Sequence, residues 1–308
     1  MTVDDSLLVS LQQGRAEFLE VVAGVRPELL RYSARMTGSI TDGEDVVQDT
    51  LAHAYFELSQ LKELPALRAW LFRIAHNRAL DVLRRYDRRM GESLDENLNV
   101  TPSPDSAPDE RIARDEAVQM SVSRFLELPP AQRSCVVLKD VLDHTLEEIA
   151  ALLGLRVPAV KAALHRGRAR LHKLAAIREA PAPRPSSPAV ARYAALFNAR
   201  DWDGVRAMLV DDVRLDLVSR EKRAGFANVG HYFTNYSKTS DWHLVPAFLD
   251  GREVLAVFRD PAAVRPGYFI ELSLRDERVA AIRDFRYVPY IGQEAEMVLG
   301  KKGRNLEK

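Results

Sequence analysis

One cysteine, Cys135, occurs in 308 residues, so no disulfide forms within the chain and no zinc site can rest on paired thiolates. No apolar run approaches the roughly 20 residues that span a bilayer. The acidic opening Met-Thr-Val-Asp-Asp lacks the basic-then-apolar order of a secretion signal. A cytoplasmic protein with no membrane role is therefore expected. Net charge is missing too: 44 Lys and Arg balance 44 Asp and Glu. Internal repeats are absent, which sets aside solenoids and arrays. The length is ample for two or three domains with real cores.

The zero net charge hides a strong pattern. Residues 1–66 carry 5 basic and 11 acidic groups, whereas 67–91 carry 7 and 2. Residues 92–132 hold 3 basic and 9 acidic groups, and 146–178 again hold 7 and 2. Two compact basic blocks flanked by acidic ones are suited to steering toward phosphates, whatever the total.

Two segments read as linkers. The stretch 92–110 (ESLDENLNVTPSPDSAPDE) is acidic, contains proline and lacks aromatics, so it has little to bury. Residues 179–188 (EAPAPRPSSP) hold four prolines and suit a semi-extended spacer. The expected units are 1–91, 111–178 and 189–308. The first two read as helical: Val47, Leu51, Ala54, Tyr55 and Leu58 recur at helical spacing, closed by Pro65. The third begins with a helix at Ala189–Asn198 and turns to β-rich runs such as EVLAVF, YFIELSL and VAAIRDF. Asp250-Gly251 and Asp276-Glu277 fall between successive runs as hairpin turns would, which predicts an α+β domain with a curved antiparallel sheet.

The clearest motif lies in 133–174. Thr145-Leu-Glu-Glu148 has the form of a capping box, its helix ends at Gly154, and Pro158 suits the first turn of another. Two helices joined by a short glycine-bearing turn form a helix-turn-helix. The second helix carries Lys161, His165, Arg166, Arg168 and Arg170, with Val160, Leu164 and Leu171 for its buried side. Its start would face the major groove, where Arg and Lys bond guanine edges and phosphates. In the other basic block, RAWLFRIAHNRALDVLRRYDRR, Arg73, Asn77, Arg84 and Arg88 share one helical stripe, and Leu71, Ile74, Ala75 and Val82 occupy another. Trp70 and Tyr86 among these arginines are the composition that holds unstacked bases. Upstream, Asp45, Gln48, Asp49 and Ala52 form an acidic face, either balancing charge or docking a basic partner.

These residues carry a family resemblance. DGEDVVQDTLAHAYFEL followed by RAWLFRIAHNRALDVLRR resembles the core-binding and promoter-melting region of bacterial RNA polymerase sigma factors of the extracytoplasmic-function (ECF) group. LPPAQRSCVVLKDVLDHTLEEIAALLGLRVPAVKAALHRGRARL resembles that group's region for the upstream promoter element. The resemblance implies that Asp45, Gln48 and Asp49 dock on core RNA polymerase. It implies that Trp70, Arg73, Asn77, Asp81, Arg84 and Arg85 read and open the minus-ten element of promoter DNA. Arg156, Lys161, His165, Arg166 and Arg168 match the helix that reads the minus-thirty-five element. Arg156 stands where a small capping residue is common, and Ala162 and Ala163 replace frequent polar contacts, so promoter preference transfers less well than function.

Residues 189–308, with a further helix near Val229–Tyr236, resemble a SnoaL-like domain, a cone-shaped α+β fold. A subset of ECF sigma factors carries that extension, which modulates activity in place of a separate anti-sigma protein, so intramolecular contacts between it and the sigma domains are expected here. Asp216, His231, His243, Glu271 and Asp284 are its titratable residues, and Tyr232, Tyr236, Trp242, Phe269 and Asp284 could line a pocket for a small ligand. No two titratable groups fall into a catalytic spacing, so no catalytic residue, metal or cofactor is expected and the chain reads as a non-enzyme. The expected protein joins two all-α sigma domains to an α+β regulatory domain. The alternative is a DNA-binding regulator whose third domain senses a small molecule.

Overall fold

The computed structural model describes residues 14, 16–61, 63–90, 110–177, 184–239, 242–260, 262–295 and 297–300. The expected linker 92–110, apart from Glu110, and most of 179–188 lie outside them. The chain divides into two compact units, Met1–Arg178 and Glu179–Lys308.

The first unit is helical: α1 (16–22), α2 (Arg26–Thr37), α3 (Ile40–Phe56), α4 (Leu67–Met90), α5 (Glu110–Gln119), α6 (Pro130–Val136), α7 (Leu146–Leu153) and α8 (Val157–Ala176). Proline in the first turn of α2 and left-handed Gly38 at its end (φ 72°) bound that helix. Ser39 then caps α3 by accepting from the Asp42 N–H at 3.2 Å. The two helices touch at Gly43, where a Cβ would stand 2.5 Å from the Ala34 nitrogen. Val47, Leu51 and Ala54 of α3 are buried as the periodicity requires, whereas Leu58 lies beyond the helix in a 3-10 turn and is exposed.

The two helical halves are not independent beads. Arg133 of α6 is buried and donates to the Met36 carbonyl at the end of α2, and to the carbonyls of Leu126 (3.1 Å) and Leu128 (2.8 Å). Leu126 itself covers Gly38. Nearby, Phe72 of α4 meets His144, which precedes α7, edge to face at 5.2 Å. Burial of that imidazole lowers its pKa, favouring the neutral form.

The helix-turn-helix forms as the motif requires. Thr145 Oγ1 accepts from the Glu148 N–H at 3.2 Å, and Glu148 Oε2 accepts from the Thr145 N–H at 2.8 Å. Gly154 closes α7 in the left-handed region (φ 67°). Val160, Leu164 and Leu171 of α8 are buried. Between α6 and α7 the chain widens into a π-helical turn, Val137–Val141, which sequence periodicity does not reveal.

The second unit holds α9 (Pro188–Asn198), α10 (Trp202–Ala207), β1 (Leu209–Leu217), β2 (Glu221–Ala224), α11 (Phe226–Ser237), β3 (His243–Leu249), β4 (Arg252–Phe258), β5 (Tyr268–Arg275), β6 (Arg278–Asp284), α12 (Ile291–Glu294) and β7 (Met297–Leu299). They form an α+β domain with one seven-stranded sheet in the order β2-β1-β6-β5-β4-β3-β7. The pairings are antiparallel, as expected, except that β1 and β6 run parallel. That pair joins distant parts of the chain, so no local turn signal announces it. Both expected hairpins are present as two-residue turns with positive φ at each position, Asp250-Gly251 (51° and 79°) and Asp276-Glu277 (52° and 59°). Ser187 anchors α9 to the sheet, with its N–H and hydroxyl on the two Glu253 carboxylate oxygens at 2.6 and 2.7 Å.

Replacing Gly43 with alanine should force α2 and α3 apart and cost about 1–3 kcal/mol, the range for overpacking. Urea unfolding would read this as a lower midpoint with an unchanged slope.

Candidate nucleic-acid interface

The exposed stripe of α4 is built by simple helical spacing. Arg73, Asn77, Arg84 and Arg85 are exposed, while Leu71, Phe72, Ala75 and Ala79 are buried beneath them. Asp81 pairs with Arg84 at 3.6 Å, and both side chains are about half exposed, so the pair adds little stability. Trp70, expected beside this stripe, is buried. Its indole packs the helix and offers no open face for stacking. Tyr86 is exposed and donates to Asp42 Oδ2 at 3.2 Å.

One turn into the same core, the Tyr32 hydroxyl bonds His76 Nδ1 at 2.7 Å. Burial, and Arg84 secondarily, push the His76 imidazole down to about 4, so it is neutral at physiological pH. Positive charge on this face therefore comes from arginine, with no contribution from His76.

On α3, Asp45 and Asp49 are exposed and Gln48 is half-buried. Gln48 Nε2 donates to Glu44 Oε1 at 3.4 Å, and the buried Glu44 also accepts from Arg26 at 3.2 Å. This acidic face thus stands on an internal ion pair that sequence reading does not reveal.

On α8, Arg156 and Lys161 are exposed at the N-terminal end, and His165 and Arg166 are half-buried one turn on. Arg168 is the exception. Expected on the DNA-reading face, it is turned inward: Nε meets Asp140 Oδ2 at 3.0 Å and Nη2 meets Oδ1 at 2.6 Å. Both residues are buried, and Asp140 lies in the π-helical turn. Arg168 therefore fixes α8 to its support and is not part of the exposed face of that helix. One residue before it, Gly167 lies under Val136, where a Cβ would come within 2.6 Å of Cγ2.

In the second unit the structure brings four of the five expected pocket residues together. Asp284 is fully buried, and its Oδ2 accepts from Tyr232 at 2.9 Å and Tyr236 at 2.8 Å. Its Oδ1 accepts from the Arg286 N–H at 2.9 Å. Burial pushes the carboxyl up despite these donors, and pushes both phenols well above their ordinary value. Trp242 packs on Tyr236 at 5.6 Å. Phe269 does not join them: its neighbour Ile270 pairs with Asp284, so strand alternation sends Phe269 to the opposite face, where it packs on Phe285 at 4.4 Å. Tyr268, not anticipated, completes the cluster through a 2.9 Å contact between its hydroxyl and that of Tyr236. Asp216 and Glu271 instead flank Arg283, at 3.9 and 3.4 Å, and His231 and His243 are exposed.

Two family models match the helical unit: sigma-70 region 2 over residues 21–89 and sigma-70 region 4 over residues 123–171. The RNA polymerase sigma-E factor of Streptomyces coelicolor is 32% identical over 157 residues, covering 51% of this chain and 85% of that protein. The chain belongs to the sigma-70 family. Its homologues include sigma factors of the ECF group. It is 33% identical over 217 residues to the ECF RNA polymerase sigma factor SigG of Mycobacterium tuberculosis, covering 61% of this chain and 58% of that protein. The chain thus spans under three fifths of the length of SigG. The crystal structure of the extracytoplasmic function sigma factor SigJ of M. tuberculosis is 20% identical, covers 85% of this chain and 93% of its own, and aligns at TM-score 0.32. Among the described residues, no helix of the sigma factor is long and apolar enough to cross a membrane.

Asp140→Asn in this sigma factor should leave the Arg168 guanidinium buried without its counter-charge, costing roughly 3–5 kcal/mol. Thermal unfolding of the variant would show the loss. An unchanged midpoint would mean that the pair is not structural.

Proposed function

We propose that this sigma factor binds core RNA polymerase and directs promoter-specific initiation, with its C-terminal domain modulating that activity. The carrying observation is the coexistence of two basic, outward-facing helix surfaces on α4 and α8 with the two matching sigma-70 regions. Asp45, Gln48 and Asp49 dock the polymerase. Arg73, Asn77, Arg84 and Arg85 engage and help open the minus-ten element, where capture of unpaired bases offsets a few kcal/mol of unstacking. Arg156, Lys161, His165 and Arg166 read the minus-thirty-five element from the start of α8. Trp70 and Arg168 hold these helices in shape. The cytoplasm, where such a polymerase works, is the site of action.

Geometry adds a condition. The two elements, named for positions 25 apart, lie roughly 85 Å apart along B-form duplex at about 34 Å per ten base pairs. A compact unit of 178 residues has a radius of gyration of only about 16 Å. The joined halves cannot reach both elements at once. Reading a whole promoter requires that the contacts of Arg133 and Phe72 come apart on the polymerase, with the acidic linker 92–110 spanning the gap.

The first test is transcription with purified core polymerase on a selected promoter, comparing residues 1–308 with 1–178. Specific transcripts are expected, and their ratio gives the sign of the C-terminal domain's effect. Arg84→Ala with Arg85→Ala should weaken open-complex formation, seen by permanganate reactivity, far more than polymerase capture. Equal promoter opening by that variant refutes the assignment of α4.

Arg133→Met tests the closed arrangement. It should raise the distance between labels on α4 and α8 in free protein, read by energy transfer, and increase initiation at limiting polymerase. An unchanged distance means that Arg133 is not the latch.

A further inference from the structure

The face of α3 does not end at its carboxylates. An α-helix turns about 100° per residue, so Asp45, Asp49, Ala52 and Phe56 fall within about 60° of one another around the axis. All four are exposed. Phe56 closes the helix and is 82% exposed, against 43% for the next most exposed aromatic among the described residues, Phe226. Its ring meets that of Tyr55 edge to face at 6.0 Å and is otherwise open to water. Leu58, in the 3-10 turn that follows, is exposed as well.

A lone apolar side chain on a surface needs no explanation. Phe56 differs through its place in the stripe. At 1.5 Å per residue it stands about 10 Å along the axis from Asp49. A stable interface covers about 800 Å² on each partner, which is a patch of about 16 Å radius. A partner centred on Asp49 therefore covers Phe56 too. Between them Ala52 projects a single methyl group, so a shallow dip separates the carboxylates from the ring. Charge, dip and ring follow one another along a single ridge. A ring left in water adds nothing to the fold, whereas aromatic side chains carry much of the binding energy inside interfaces.

We propose that Phe56 is the apolar anchor of the α3 docking face. It enters an apolar recess of core RNA polymerase that lies about two helical turns beyond the basic side chains meeting Asp45 and Asp49, and Leu58 borders the same recess. The carboxylates set steering and register, and the ring slows dissociation. The inference rests on the reading that α3 docks the polymerase, and it names the part of that face that holds the partner.

The experiment titrates full-length protein against purified core polymerase and measures the dissociation constant at low and high salt. Phe56→Ala should weaken capture roughly 30-fold at both salt concentrations, the scale of an aromatic hot spot. Phe56→Leu should keep most of the affinity. Asp45→Asn with Asp49→Asn should weaken capture at low salt and much less at high salt, because exposed charges are screened. Phe226→Ala removes another exposed ring and should bind as the wild type does. An unchanged thermal midpoint excludes a folding defect in Phe56→Ala. If that variant melts early, Ala52→Gln decides instead, since it fills the dip with a good helix former and should also weaken capture. Wild-type affinity of the deciding variant, beside weakened capture by the asparagine pair, overturns the anchor and leaves the docking face standing. Wild-type affinity of every variant removes the polymerase from α3 altogether, and the anchor with it. A dimer of the free protein that Phe56→Ala dissociates, with polymerase capture intact, assigns the ring to a second copy of the chain and overturns the proposal as well.

Discussion

The helical unit depends on a guanidinium withdrawn from water. Arg133 comes from the region 4 half, yet one of its bonds goes to the last turn of α2 in the region 2 half. Its partners are main-chain carbonyls, which carry no net charge, so the withdrawn positive charge is met by dipoles at the ends of a helix and a 3-10 turn. Such an arrangement is stable only while all acceptors stay in place. Pulling the halves apart exposes the arginine to water, which can replace the lost acceptors. The joined halves are thus held by contacts that water can take over.

The same logic of a buried polar group recurs with different outcomes. Asp140 and Arg168 neutralise each other inside the helix-turn-helix, where they fix α8 to the π-helical turn. Asp284 in the C-terminal domain has hydrogen-bond donors but no equal counter-charge in contact, and its environment favours the protonated carboxyl. One buried acid serves rigidity in the helical unit; the other gathers two tyrosine hydroxyls at the centre of an aromatic cluster.

Much of this was legible in the chain. The capping box at Thr145, the glycine stop at Gly154 and the stripe Arg73–Asn77–Arg84 are local patterns, and local patterns survive folding. The two-residue turns at Asp250-Gly251 and Asp276-Glu277 were legible for the same reason. What escaped depends on non-local partners. Trp70 was grouped with the bases' stacking partners because it lies near the stripe that begins at Arg73, and Arg168 looked like a DNA contact because its helix is basic. Both are turned inward by elements remote in sequence or, for Asp140, by a π-helical turn with no periodicity of its own. Phe269 was grouped with Tyr232 and Tyr236 by composition, and strand alternation placed it on the other face. The parallel pairing of β1 with β6 joins residues about 70 apart, beyond any short-range signal.

The sheet of the C-terminal domain ends, on both sides, in very short strands: β2 has four residues and β7 three. An edge that short presents few free main-chain donors and acceptors, so it is a poor template for an incoming strand. A protein that engages this domain must therefore recognise it by side-chain chemistry and not by extending its ladder. Its specificity is then open to change by point substitution, one surface residue at a time, without disturbing the hydrogen bonding that holds the sheet together.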